Sequence, residues 1–368
     1  MVPQGANGLV QTPKRPRIMI VPGLSATRNL THYSRFAKLK AARTYLVNSS
    51  IKTWVEEIRS GNLRALSRAI TAVENRTRDS HELLKALFAY SGRARVVGLT
   101  GSPGAGKSTL VDALAAQYRK RQQSVGIIAI DPTSPFTGGA ILGDRIRMSS
   151  HSGDDGTFIR SMATRGSLGG LSSTTADVAT VMDASGRELV LIETVGVGQD
   201  EVDIVRLADV TIVILVPGMG DDVQSLKAGI MEIADIFVIN KADREGAERL
   251  EREVKAMQSL SMRNDSWAPP VIKTVATSGD GVAELAASID EYEAFLAKSE
   301  MGQQRRIANW RNRLRAMLRD EVLRRIEQEA FSEEAVNQYA AEVAGHERDP
   351  YSLIDEIVGR LVRREPLC

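Results

Sequence analysis

The chain has 368 residues, of which 43% are hydrophobic and 26% charged, and a formal net charge of +2. That size accommodates one α/β domain of about 200 residues with flanking helical segments, and the charge balance argues against a general nucleic-acid footprint. With no uninterrupted apolar run of about 18 residues there is no candidate membrane span, and a lone cysteine, Cys368, rules out an internal disulfide framework or a cysteine-cluster metal site within one chain.

Residues 1–55 hold nine Lys or Arg and no acid, with prolines at 3, 13, 16 and 22. The stretch 1–50 reads as a disordered basic extension, with a mitochondrial transit leader as the alternative. Otherwise the cysteine usage favours a reducing, cytoplasmic setting. From Ile51 to residue 92 apolar residues recur at helical spacing (Trp54, Ile58, Leu63, Leu66, Ile70 and Val73) around a Gly61-Asn62 break, which predicts short amphipathic helices continued by His81 to Tyr90.

Residues 93–298 alternate strand and helix patterns. The β-branched run Val96 to Thr100 leads into Gly101, Ser102, Pro103, Gly104, Ala105, Gly106, Lys107, Ser108 and Thr109, which fit G-x-x-x-x-G-K-[ST], and an apolar-periodic run follows from Leu110. Glycines there let successive backbone N–H groups turn toward a polyphosphate at a helix N-terminus. Lys107 is placed to meet the β- and γ-phosphates and the Ser108 hydroxyl to complete part of a Mg2+ shell. Short two-sided apolar runs at Val125–Ile130, Glu188–Thr194, Val210–Val216, Ile236–Asn240 and Val271–Thr277 predict a mostly parallel sheet of the P-loop NTPase kind.

Three acids follow such runs or a glycine turn and are candidates for magnesium and γ-phosphate sensing: Asp131, Asp144 and Glu193. After Glu193, Val195, Gly196 and Gly198 permit a backbone N–H to meet a γ-phosphate and release it, as a GTPase switch does. Gln199 is a candidate water-positioning catalytic residue beside Lys107 and Glu193, or a surface glutamine. The glycine-bearing segment 218–229, with Asp221, Asp222 and Lys227, reads as a second switch or as a helix N-terminus whose acids suit the macrodipole. Asn240-Lys241-Ala242-Asp243 follows a strand, and a carboxylate at 243 accepts from both the ring N–H and the exocyclic amine of guanine, which favours GTP over ATP. Thr277 and Ser278 sit where a loop would close over the base, or in a plain turn with Gly279.

Residues 299–368 are helical in pattern, with twelve Arg and twelve Asp or Glu from Met301 onward. A solvated helical hairpin is the plainer reading, but two apolar stripes, one through Trp310, Leu314, Met317, Leu318 and Val322 and one through Ile354, Ile357, Val358 and Leu361, call for a partner surface and predict a dimerisation arm, with back-packing on the same chain as the alternative.

Taken together, Gly101 to Thr109, Asp131-Pro-Thr-Ser134, Gly138-Gly139 with Ile141 to Asp144, Arg165 to Gly170, Glu193 to Gln199 and Asn240 to Asp243 resemble the GTPase chaperones of methylmalonyl-CoA mutase, a family long labelled arginine/ornithine transport ATPases. The likeness runs from about Ile51 to Leu361. It implies a homodimeric, Mg2+-dependent GTPase that shares its nucleotide domain with nickel-handling accessory GTPases. Its implied role is to gate adenosylcobalamin loading into a cobalamin-dependent acyl-CoA mutase, and to protect or reactivate that enzyme, with the adenosyltransferase as a further partner. The family's mobile segments fall here on Asp144 to Met148, including Arg147, on Val195 to Gln199 and on Gly218 to Gly229. A transport-linked ATPase or kinase, and a GTP-dependent scaffold without turnover, are the rival readings.

Overall fold

The computed structural model describes residues 49–131, 153–163, 170–196, 207–218, 233–260, 267–329 and 332–362. Two helices come first, α1 over 49–59 and α2 over Leu63–Glu74. Asn62 caps α2 by accepting from the Arg64 and Ala65 amides, both at 3.0 Å, and so uses two otherwise orphaned donors. The predicted apolar stripe is the buried one: Leu66, Ala69, Ile70 and Val73 all lie in the core. A third helix, α3, spans Arg78–Phe88.

The nucleotide domain then alternates β1 (Arg95–Gly101), α4 (Lys107–Lys120), β2 (Val125–Asp131), β3 (Thr157–Ala163), α5 (Gly170–Ala184), β4 (Leu189–Glu193), β5 (Val210–Leu215), β6 (Ile236–Asn240), α6 (Ala247–Leu260), β7 (Val271–Thr274) and α7 (Val282–Lys298). All seven strands pair in parallel, in the order β3-β2-β4-β1-β5-β6-β7. The phosphate-loop strand β1 is therefore central, between β4 and β5. Alternation along each strand divides the two faces: Ile212, Ile214, Ile236 and Val238 join the core under α4 and α7, whereas Val213, Leu215, Phe237 and Ile239 join the core under α6.

Three departures from the sequence reading have plain causes. Strand β3 was not among the predicted runs, because it pairs only with β2 at the sheet edge and four of its seven residues are half-exposed in succession. The run from Val271 stops as a strand at Thr274, since Val275 turns away to pair antiparallel with Asp280. After Ser299 there are three helices rather than a hairpin: α8 (Glu300–Glu329, 30 residues), α9 (Glu333–Ala344) and α10 (Pro350–Val362). Helices α2 and α3 pack on α5, and Arg160 of β3 pairs with Glu74 of α2.

The amino ends of the strands share a device. The acid just before one strand accepts a backbone N–H at the start of its neighbour. Asp209, preceding β5, takes the Val96 amide of β1 at 2.9 Å. Asp235, preceding β6, takes the Thr211 amide of β5 at 2.8 Å, and Glu188, preceding β4, takes the Ser124 amide next to β2 at 2.8 Å. Asp235 also receives a bidentate pair from Arg305 of α8 (2.8 and 2.7 Å) and the Tyr292 hydroxyl of α7 (2.7 Å). Both charges of that pair are largely withdrawn from water, and its hydrogen bonds to the carboxylate raise the affinity of the Arg305 guanidinium for its proton against the opposing cost of burial.

Candidate functional site: a phosphate loop at the carboxyl ends of the strands

Every described residue of the predicted site lies at the carboxyl end of the sheet, in the turn that follows or in the first turn of the next helix, as the parallel α/β arrangement requires. The loop 102–106 joins β1 to α4, whose first helical residue is Lys107. Gly106 caps that helix in the left-handed region at φ 84°, and a Cβ there would stand 2.5 Å from Asn240 Nδ2. Only glycine admits both the backbone angle and the neighbour.

Lys107 is buried, and its Nζ donates to the Gly101 and Ser102 carbonyls at 2.8 and 3.1 Å. The ammonium is thus held inside the curl of the loop, where backbone amides and the N-terminus of α4 favour an anion. Ser108, the second residue of the helix, donates its hydroxyl to Glu193 Oε1 at 2.6 Å. That bond links the helix to the last residue of β4. Beyond Glu193, Thr194 donates its amide to the Leu99 carbonyl at 3.1 Å, and its hydroxyl to that of Thr100 at 3.1 Å.

Gly196 then comes directly against the phosphate loop. Its φ is 85°, and a Cβ would fall 2.0 Å from the Gly101 carbonyl oxygen and 2.6 Å from Lys107 Nζ. The half-buried Val195 precedes it. Asp131 ends β2, buried, in the same layer of strand ends. The donor set of a serine hydroxyl and two buried carboxylates, with neither sulfur nor imidazole, suits a hard divalent cation such as Mg2+.

On the other side of β1, Asn240 is a buried joint. Its Nδ2 donates to the Ala105 carbonyl at 2.8 Å, while its Oδ1 accepts from Thr274 Oγ1 at 3.1 Å and the Ala276 amide at 3.2 Å. Lys241, at φ 55°, donates from Nζ to the Gly104 carbonyl at 2.7 Å. The predicted base-recognition stretch is in this way tied to the phosphate loop by two side chains, and Asp243 stands exposed two residues further on. Thr277 and Ser278 are exposed in the turn after β7, where the Ser278 hydroxyl lies 2.7 Å from Asp280 Oδ2.

Sequence reasoning missed Thr274 and Ala276 as supports of Asn240. The register of β6 on β7, which pairs Asn240 with Thr274, is the signal that finds them. Asp144, Arg147, Gly198, Gln199, Asp221, Asp222 and Lys227 lie outside the described residues.

A central parallel sheet with a lysine-bearing glycine loop between β1 and α4, and an Asn-Lys-x-Asp turn joined to it, defines a P-loop GTPase. The family described as Methylmalonyl Co-A mutase-associated GTPase MeaB matches residues 66–330, and the chain belongs to it. A Pyrococcus abyssi protein named as a GTPase is 47% identical over 311 residues, covering 84% of this chain and 96% of that one. The GTPase ArgK of Escherichia coli is 35% identical over 77% of this chain and 87% of its own length. The mouse protein named methylmalonic aciduria type A homolog, mitochondrial, is 35% identical over 67% of this chain and 64% of its own length. A solved structure titled LAO/AO transport system kinase superposes with a TM-score of 0.63 at 26% identity, covering 85% of this chain and 98% of that one. The chain is accordingly a GTPase related to ArgK and to the methylmalonic aciduria type A proteins. Among the described residues no helix is long and apolar enough to cross a membrane.

Proposed function

We propose that this GTPase is a cytoplasmic, homodimeric chaperone of a cobalamin-dependent acyl-CoA mutase, methylmalonyl-CoA mutase being the first candidate, and that it uses GTP to gate adenosylcobalamin loading and to protect or reactivate the mutase. The family's description and the name of the mouse relative support the choice of partner. The observation that carries the gating reading is the contact of Gly196 with Gly101 and Lys107, because it sets a glycine backbone, free to change conformation, against the phosphate end of the nucleotide site.

In this reading Lys107 and the amides of residues 102–106 hold the polyphosphate, and Asp243 reads guanine. Ser108, Asp131 and Glu193 hold Mg2+, which supplies charge neutralisation at the phosphate oxygens when bound. Catalysis is positioning and charge stabilisation, and the partner's part is to order the segment after Gly196. The helices after Ser299 form the dimer.

The test is GTP turnover with and without methylmalonyl-CoA mutase, read beside the affinity of the two proteins in GTP and in GDP. Stimulated hydrolysis together with nucleotide-dependent affinity is expected, since coupling between the sites is reciprocal. Unchanged turnover and equal affinity in the two nucleotides would remove the mutase as partner. ATP hydrolysed as fast as GTP would return the chain to a transport-linked ATPase.

A further inference from the structure

A second cavity lies at the opposite end of β1 from the phosphate loop. It encloses about 500 Å³ between the segment before β1, α5, α7 and the first turns of α8. Gly101 lies six positions along β1 from Arg95, on the cavity wall, roughly 20 Å along a strand. The volume is in the range of sites for small organic molecules.

Its chemistry is divided. The floor is apolar, with Ala176, Ala179, Leu207 and Leu296. The lip carries Phe88 and Trp310, exposed yet set edge to face with centroids 5.5 Å apart, and Arg313 lies over the Trp310 ring. Arg93 and Arg306 stand exposed at the cavity, and neither is in an ion pair among the described residues. Inside, Arg313 Nε and Glu293 Oε1 are buried without a hydrogen-bond partner among the described residues, although their other atoms are held by Asp177 and Arg95. Buried polar atoms left in this way are uncommon and costly. Burial pushes the carboxyls of Asp209 and Glu293 up, against the Val96 amide and Arg95 that face them, and Asp183, also on the wall, accepts the backbone amides of Gly92, Arg93 and Ala94.

We propose that this cavity is a binding site for a small amphipathic organic anion, whose apolar body fills the alanine and leucine floor and stacks on Phe88 and Trp310 while its anionic group meets Arg306 and Arg93. Residues 1–48 are a poor match, because they carry no acid to answer the arginines. The nucleotide is a poor match as well, since its site lies at the other end of the strand.

The probe is 8-anilinonaphthalene-1-sulfonate, an aromatic anion, titrated by fluorescence into the full chain in saturating GDP and Mg2+ so that the phosphate loop is filled. One saturable site per chain is expected. Arg306→Glu should weaken it about tenfold, the order of one charge-assisted contact. Ala179→Phe, which fills the floor, should do the same or more, with the melting curve confirming that the variant is folded. Leu318→Asp, on the exposed stripe of α8, should leave binding unchanged. The absence of a saturable site overturns the proposal, as does equal binding by the wild type and Arg306→Glu. Loss of the site in Leu318→Asp with retention in Ala179→Phe would assign the dye to the arm and overturn it too.

Discussion

The two ends of the sheet satisfy their buried polar groups by opposite means. At the carboxyl ends the charged side chains Lys107 and Lys241 lean on backbone carbonyls of the loop, and the contacts of Gly106 and Gly196 are made by backbone. At the amino ends carboxylates take backbone N–H groups, and one of them, Asp235, is itself clamped by Arg305. A lysine on a neutral carbonyl is easily recruited by a stronger anion, whereas a bidentate carboxylate–guanidinium pair in the core resists exchange. Turnover and stability are therefore assigned to different ends of the same strands, and α8 is anchored at the stable end through Arg305.

The largest expected effect is on base choice. Asp243→Asn replaces an acceptor with a donor and should shift the preference between GTP and xanthosine triphosphate by roughly 10⁴, read from competition binding. An unchanged preference would take Asp243 out of base recognition. Lys107→Ala should lower GTP turnover by about 10³ while the urea midpoint stays near that of the wild type. A large loss of stability in this variant would blur the division between the ends.

The division is sharpened from the other side by Arg305→Ala, which strands Asp235 in the core and should cost about 3–5 kcal/mol in urea unfolding, with GTP turnover per folded molecule unchanged. The arm should register in neither measurement. The double substitution Leu314→Asp with Leu318→Asp removes two exposed leucines, each contributing about 1.5–3 kcal/mol when buried at an interface. It should weaken the dimer about a hundredfold or more by light scattering and leave basal turnover alone. A wild-type chain that is monomeric at micromolar concentration would end the arm's role as a dimer surface.

The smallest effect is electrostatic. Asp154, just before β3, receives Arg119 on both oxygens (2.7 and 2.9 Å) along with the Thr157 hydroxyl and the Gly156 amide, and the Arg119 bonds above all hold its carboxyl well below the usual range. A lowered folded value means stability that is present above the unfolded carboxylate value near 3.9 and lost as pH falls through the folded one. Asp154→Asn should therefore cost about 1 kcal/mol at pH 7, a partly exposed pair being screened. The gap to the wild type should close as the pH drops below about 4. A gap as large at pH 2 as at pH 7 would mean that packing, not charge, is lost.

The sequence by itself determined the central strands, the phosphate loop and the Asn-Lys-x-Asp turn, because each rests on local constraints. A two-sided apolar run has to be covered, a glycine-rich turn before a helix presents its amides, and a carboxylate after Asn-Lys-x is spaced by the turn itself. Tertiary structure decided what depends on neighbours. Strand β3 is an edge, and its half-polar residues carry no periodic signal until β2 is beside it. The roles of Asn240 as a joint and of Asp209, Asp235 and Glu188 as caps follow from the strand order, which sets residues far apart in the chain within 3 Å of one another. The C-terminal stripes show the same limit. Trp310, Leu314 and Leu318 stay exposed. In α10 Leu353 and Ile357 are buried, α10 packing on α8, while Ile354 and Val358 are exposed. Periodicity marks an apolar face, but which part of it this chain covers is fixed only where another helix arrives, because burial is a property of two surfaces and the sequence of one helix specifies a single surface.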